Sequence, residues 1–113
     1  MPARVKIDKV PMNLDLDNID CEANQCFENS YKVAKKYPNV KIVEGIIIVV
    51  GKDFHSKVME HVWNLLDEIH FDITAEQIWI TEEYSQVSEV RYALTKIHTL
   101  EDVESMKFLN LII

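Results

Sequence analysis

The sequence predicts a single α+β domain. A helix carrying a cysteine at its start packs on a small antiparallel sheet, and a second helix follows at the C-terminal end. Three observations predict it. Residues 40–50 are dominated by Val and Ile, whose branched side chains suit a pleated, buried surface. Phe27, Ser30, Tyr31 and Ala34 recur at the i, i+3, i+4, i+7 spacing of one helix face. Thr99 precedes a segment, residues 100–109, that carries Glu101 and Asp102 in its first turn, where a helix dipole favours acids. A chain of 113 residues has room for one core and not for two.

Element by element, residues 4–8 alternate polar and apolar and suit a short edge strand. In residues 11–20, Asp15, Asp17 and Asp20 have the look of a calcium loop. The glycine of its sharp turn and its closing glutamate are missing, so a plain loop is expected. The first helix begins near Cys26, with Asn24 or a neighbour as cap. It ends at Tyr37, because Pro38 disfavours helical geometry in the residue before it. Pro38-Asn39 turns into the strand of residues 40–50. Gly45 interrupts that strand and predicts a bulge or a close approach of another group.

Residues 54–66 admit two readings. Phe54, Val58, Val62 and Leu66 share a helical face. Equally, His61 to Leu66 pairs as a hairpin with Ile69 to Ile73 through Asp67-Glu68. Thr74 with Gln77 has capping-box spacing for a short helix to Trp79. Val90, Tyr92 and Leu94 alternate within residues 87–97 and favour a strand there, although a helix fits almost as well.

Composition narrows the function classes. The chain is 48% hydrophobic and 27% charged, as globular proteins are, and its formal charge is −7. An acidic chain lacks the clustered cations that nucleic-acid backbones require, so no nucleic-acid partner is expected. Its one basic cluster, Lys32, Lys35 and Lys36, lies beside Glu28 and reads as a solvated helix face. Residues 1–10 lack the apolar run of a signal peptide, and the longest apolar stretch, residues 46–50, is far too short to span a bilayer. A soluble cytoplasmic protein with no membrane partner is expected, its two cysteines, Cys21 and Cys26, kept as free thiols.

The chemistry centres on Cys26. A thiol becomes a strong nucleophile only as thiolate, which a helix N-terminus and a nearby histidine favour. A carboxylate beyond the imidazole fixes its tautomer and stabilises the imidazolium. Cys26, His61 and Asp72 meet these demands if the hairpin reading holds. A Leu66-Asp67 loop sets His61 opposite Asp72, an Asp67-Glu68 loop sets them diagonally on one face, and a three-residue loop separates them.

Cys26-Phe27-Glu28-Asn29-Ser30, Val43-Glu44-Gly45, His61-Val62-Trp63-Asn64 and Asp72-Ile73-Thr74 together resemble a family of small bacterial and phage proteins. Its members look like minimal papain-fold or transglutaminase-like domains, similar in plan to NlpC/P60 peptidases. The resemblance covers residues 26–74. It implies a papain-like core and a cysteine hydrolase or acyltransferase acting on an amide, peptide or thioester, with Cys26 as nucleophile, His61 as general base and Asp72 as orienting partner. It also favours the hairpin. No cofactor is implied. Two departures stand out: the usual turn glycine is replaced by Asp67-Glu68-Ile69, and the Gln that papain-like enzymes often place ahead of the cysteine to bind the oxyanion is here Gln25, directly adjacent to Cys26. The oxyanion hole is left unassigned, with the backbone N–H of Cys26 as one candidate donor.

Trp63, Asn64 and Glu44 are the expected substrate-binding residues, Trp63 lining a groove and Asn64 giving hydrogen-bond support. Cys21 reads as structural, and His55, His70 and His98 as surface or turn residues. A zinc site from Cys21, Cys26, His55 and His61 lacks a usual ligand spacing. The expected partner is a peptide or protein. The alternative to catalysis is a papain-like binding module, such as an immunity, inhibitor or phage accessory protein, whose acidic surface suits a basic partner.

Overall fold

The computed structural model describes residues 3–51, 56–79 and 87–112, without the side chains of Trp79 and of residues 87–88 and 107–112. It is an α+β fold with a six-stranded mixed sheet. The elements are β1 (Ala3–Val5), β2 (Ile7–Asp8), α1 (Cys26–Lys36), β3 (Lys41–Gly51), β4 (Ser56–Leu66), β5 (Ile69–Phe71), β6 (Val87–His98) and α2 (Leu100–Ile112), with a π-helical stretch, Ala75–Trp79, after β5. His55 and Phe54 lie outside the described residues.

Strand order is β1-β6-β3-β4-β5-β2. All neighbours are antiparallel except β2 and β5, which run parallel. The expected small antiparallel sheet is therefore mixed. The single N-terminal edge strand expected over residues 4–8 is also corrected: it splits into two strands at opposite ends of the sheet. Val5 pairs with Tyr92 of β6, while Ile7 pairs with His70 of β5. Only Lys6 separates them, and two peptide units span at most about 7 Å. The sheet therefore curls until its two ends nearly meet.

The inner face of the curl holds Val43, Ile47, Trp63, Leu65 and Tyr92, joined by Val5 and Ile7. The opposite face packs Ile42 and Val62 against Ala34 and Phe27 of α1 and Val103 and Leu100 of α2. A third cluster places Leu16 and Ile19, from the expected loop, on Val33, Leu66, Phe71 and Ile73. That loop is tied down by the helix it covers. Lys32 Nζ donates to the Asp20 carbonyl at 2.9 Å and Lys36 Nζ to the Asp15 carbonyl at 2.6 Å. Two of the three lysines expected on a solvated face thus act as clamps.

Gly45 fulfils both readings of its position. The β3–β6 register shifts between Glu44 and Gly45. A Cβ there would run into the Ala93 carbonyl and would meet Trp63 Cη2 at 2.5 Å. Asn24 does not cap α1. The N-cap is Gln25, whose side chain makes no cap hydrogen bond, and Asn24 turns the chain with φ 63°. Thr99 does cap α2: its Oγ1 accepts from Asp102 N while Thr99 N donates to Asp102 Oδ2, both at 3.1 Å.

Candidate active site

Residues 56–66 form a strand rather than a helix, and β4 turns into β5 through Asp67-Glu68. Leu66 faces Ile69, Leu65 faces His70 and Asn64 faces Phe71. Asp67 takes the left-handed backbone, φ 56°, which Asp tolerates better than most residues that carry a Cβ. It replaces the glycine that such turns usually use. This register sets Asp72 diagonal to His61 on one face, one of the two registers that permit contact.

The contact is made. His61 Nε2 lies 2.7 Å from Asp72 Oδ2, with His61 5% and Asp72 1% exposed. The same Oδ2 accepts the Tyr92 hydroxyl at 2.7 Å, and Oδ1 accepts Ala75 N at 3.2 Å. Asp72 therefore caps the helical turn after β5, which corrects the capping box expected at Thr74. Three donors satisfy the buried carboxylate from three directions, as a buried charge requires.

His61, bonded to Asp72 through Nε2, is also hydrogen-bonded to Cys26, the first residue of α1. Burial alone would raise the Cys26 thiol. The hydrogen bond and charge of His61 and a hydrogen bond from the Val62 backbone outweigh it, so the thiol is lowered from its ordinary value. Burial would likewise lower His61, but its hydrogen bonds to Asp72 and Cys26 and their charges raise it to about 9. Both shifts favour the thiolate–imidazolium pair over the neutral one. Cys21 contrasts with this. Packed against the Leu16 cluster, its thiol is pushed up to about 11, chiefly by burial.

α1 is held in place by side-chain bonds to the strands beneath it. Ser30 Oγ donates to the Val62 carbonyl at 3.3 Å, and Asn64 Nδ2 donates to the Ser30 and Lys41 carbonyls, each at 3.1 Å. Fully buried Asn29 donates from Nδ2 to the Glu22 carbonyl and to Thr74 Oγ1, and its Oδ1 accepts Glu22 N, each at 3.0 Å. Asn29 so joins the helix bearing Cys26 to the segment bearing Asp72.

Trp63, Asn64 and Glu44, the expected substrate-binding residues, are not among those that line the cleft at Cys26. Trp63 shares the His61 face but is 0% exposed, stacked 6.2 Å from His61 and edge-on to Tyr92 at 5.2 Å. It packs against the imidazole from within the core. Asn64 is also 0% exposed and points to the opposite face, where it gives the hydrogen-bond support expected of it. Glu44 lies on a separate hollow with Phe27, Ile42, Val62, Lys96 and His98. The cleft that Cys26 and His61 share has a volume of about 450 Å³ and is lined also by Asn24, Ile47, Val49, Lys57, Met59, Glu60 and Thr74.

Two histidines read as surface or turn residues are strand residues with partners. His70 of β5 accepts Trp63 Nε1 on its Nδ1 at 3.0 Å, and burial lowers it. His98 is 9% exposed, with Nε2 3.6 Å from Glu44. Tyr92 and Asn29 were missed as site residues. Alternation along β6 assigns Tyr92 a face, but nothing in the sequence aims its hydroxyl at Asp72. Asn29 was visible only as part of the Cys26-Phe27-Glu28-Asn29 string.

Among the described residues, no three His, Cys, Asp or Glu side chains are arranged to hold a metal ion. Among them, too, no helix is long and apolar enough to cross a membrane. The chain matches no protein-family model, no curated protein and no solved structure.

Proposed function

We propose that the protein is a cysteine-dependent hydrolase or acyltransferase acting on an amide, peptide or thioester carbonyl, built on a papain-like core. One observation carries the reading: His61 bridges a half-buried thiol, lowered from its ordinary value, and a carboxylate held by three donors. A cysteine at a helix start, then a histidine on a strand and an aspartate just past the end of the next strand, also keeps the Cys, His, Asp order that papain-like and NlpC/P60-like domains use. Two free cysteines suit a reducing compartment such as the cytoplasm.

The Cys26 thiolate attacks the carbonyl carbon and forms a C–S bond, and charge moves to the carbonyl oxygen. The N–H of Cys26 and the amide of Asn24, beside it in the cleft, are the donors for that oxyanion. His61 then gives its proton to the departing amine or thiolate as the carbon–heteroatom bond breaks. Water, or an amine in acyl transfer, next gives a proton to His61 and attacks the thioester, restoring the thiolate and imidazolium. Asp72 keeps the imidazole oriented throughout and offsets its charge.

The test is the rate of iodoacetamide labelling at Cys26 against pH, in the native protein and in His61→Ala. Labelling at pH 6 to 7 should fall by at least about tenfold in the variant, the worth of one pKa unit of activation. Slow labelling that ignores His61 would overturn the catalytic reading and leave a papain-like binding module for a protein partner.

A further inference from the structure

The cleft beside Cys26 has a direction. On its floor, β3 and β4 place their paired residues in rows: Gly45 with His61, Ile47 with Met59, and Val49 with Lys57. Exposure rises along β4 from Trp63 at 0% and His61 at 5% through half-buried Met59 to exposed Lys57. The buried end holds the thiol and the imidazole. The middle is apolar, made of Ile47, Val49 and Met59. The open end carries a cation, four residues from His61 and so about 13 Å along the strand. Among the described residues Lys57 makes no ion pair. Glu60, the acid in the same cleft, alternates to the other side of β4 from Lys57, Met59 and His61.

We infer that the acyl group this cleft accepts is an apolar stem that ends in an anion, with Lys57 as the residue that selects it. The stem lies over half-buried Val49 and Met59, and a carboxylate about 10–13 Å from the reacting carbonyl meets the Lys57 ammonium. The inference rests on the assignment of Cys26 as nucleophile. The whole-protein charge sharpens it. A chain of −7 repels anions at long range, so a preference for an anionic tail has to arise locally, and Lys57 is the cation that the cleft supplies.

Three iodoacetamide probes with the same apolar linker test this, ending in a carboxylate, a neutral amide or an ammonium. In each, the thiolate forms a C–S bond at the methylene carbon and iodide leaves, so the tail is the sole variable. The carboxylate probe should label Cys26 about fivefold faster than the amide probe, the size of one ion pair in a water-like dielectric. Lys57→Glu should reverse the order in favour of the ammonium probe, and high salt should erase the difference in both proteins. Short iodoacetamide reports on the nucleophile separately. Fast, His61-dependent labelling by the short reagent with equal rates for all three tails would overturn the role of Lys57 and leave Cys26 as nucleophile. Slow labelling by the short reagent, indifferent to His61, would overturn both.

Discussion

Asp72 is the residue on which the site turns, because one carboxylate serves the imidazole, a tyrosine hydroxyl and a backbone N–H together. Removing its charge in Asp72→Asn should lower His61 and with it the thiolate fraction of Cys26, cutting neutral-pH labelling by about tenfold. Tyr92→Phe acts differently. It deletes a hydrogen bond to a charged group, which should cost about 1.5–3 kcal/mol by urea unfolding. The carboxylate is then left more dependent on His61, whose titration should move above about 9. The pH profile of labelling reports both shifts. In the native protein the rate should rise below the ordinary thiol range as the lowered Cys26 ionises. It should change again near 9 as the raised His61 loses its proton. In His61→Ala a single rise should remain, at or above the ordinary value, since burial then acts on the thiol without its counter-ion. Cys26, His61 and Asp72 were legible as residues because their chemistry is specific. Tyr92 was not, since a strand tyrosine with a buried hydroxyl reads the same as one facing solvent until the opposite carboxylate is placed.

At the scale of elements, the β4–β5 hairpin decides whether a site exists, and it was the least certain segment in the sequence. Phe54, Val58, Val62 and Leu66 satisfy a helical period, and a strand wins because both faces of its second half, residues 61–66, are covered. Its Trp63 side meets the inner cluster and its Val62 side meets α1. A strand buried on both faces loses the alternation that would announce it. β3 was plain, since its run of Val and Ile allows little else. Gly45 was legible as an exception but not in its purpose, which is to let the Trp63 ring lie across the strand. Gly45→Ala should therefore destabilise by about 1–3 kcal/mol through overpacking. Because Gly45 pairs with His61, it should also slow Cys26 labelling. Thermal unfolding and the labelling rate check the two effects. The turn at Asp67 makes the opposite prediction. Asp67→Gly should stabilise slightly, by at most about 1 kcal/mol, since glycine takes positive φ without a Cβ penalty.

The molecule as a whole depends on a contact that no local pattern encodes. Residues 4–8 read as one edge strand, yet they serve two edges, and nothing in their alternation reveals that Lys6 stands between partners in β6 and β5. Deleting residues 1–8 removes both pairings and takes Val5 and Ile7 from the inner cluster. The loss should be at least about 2 kcal/mol from buried apolar area, measured as a lower urea midpoint. The same segment works as a clasp on a collar. Its partners lie in the second half of the chain, so it fastens only after β5 and β6 are in place, and such distant pairings form slowly. Amide exchange in β1 and β2 should then be faster than in β3 and β4, because the clasp can open while the rest of the protein stays folded. Tension applied at the N-terminus would undo the clasp one bond at a time, whereas the same pull along β3 would load its whole ladder together.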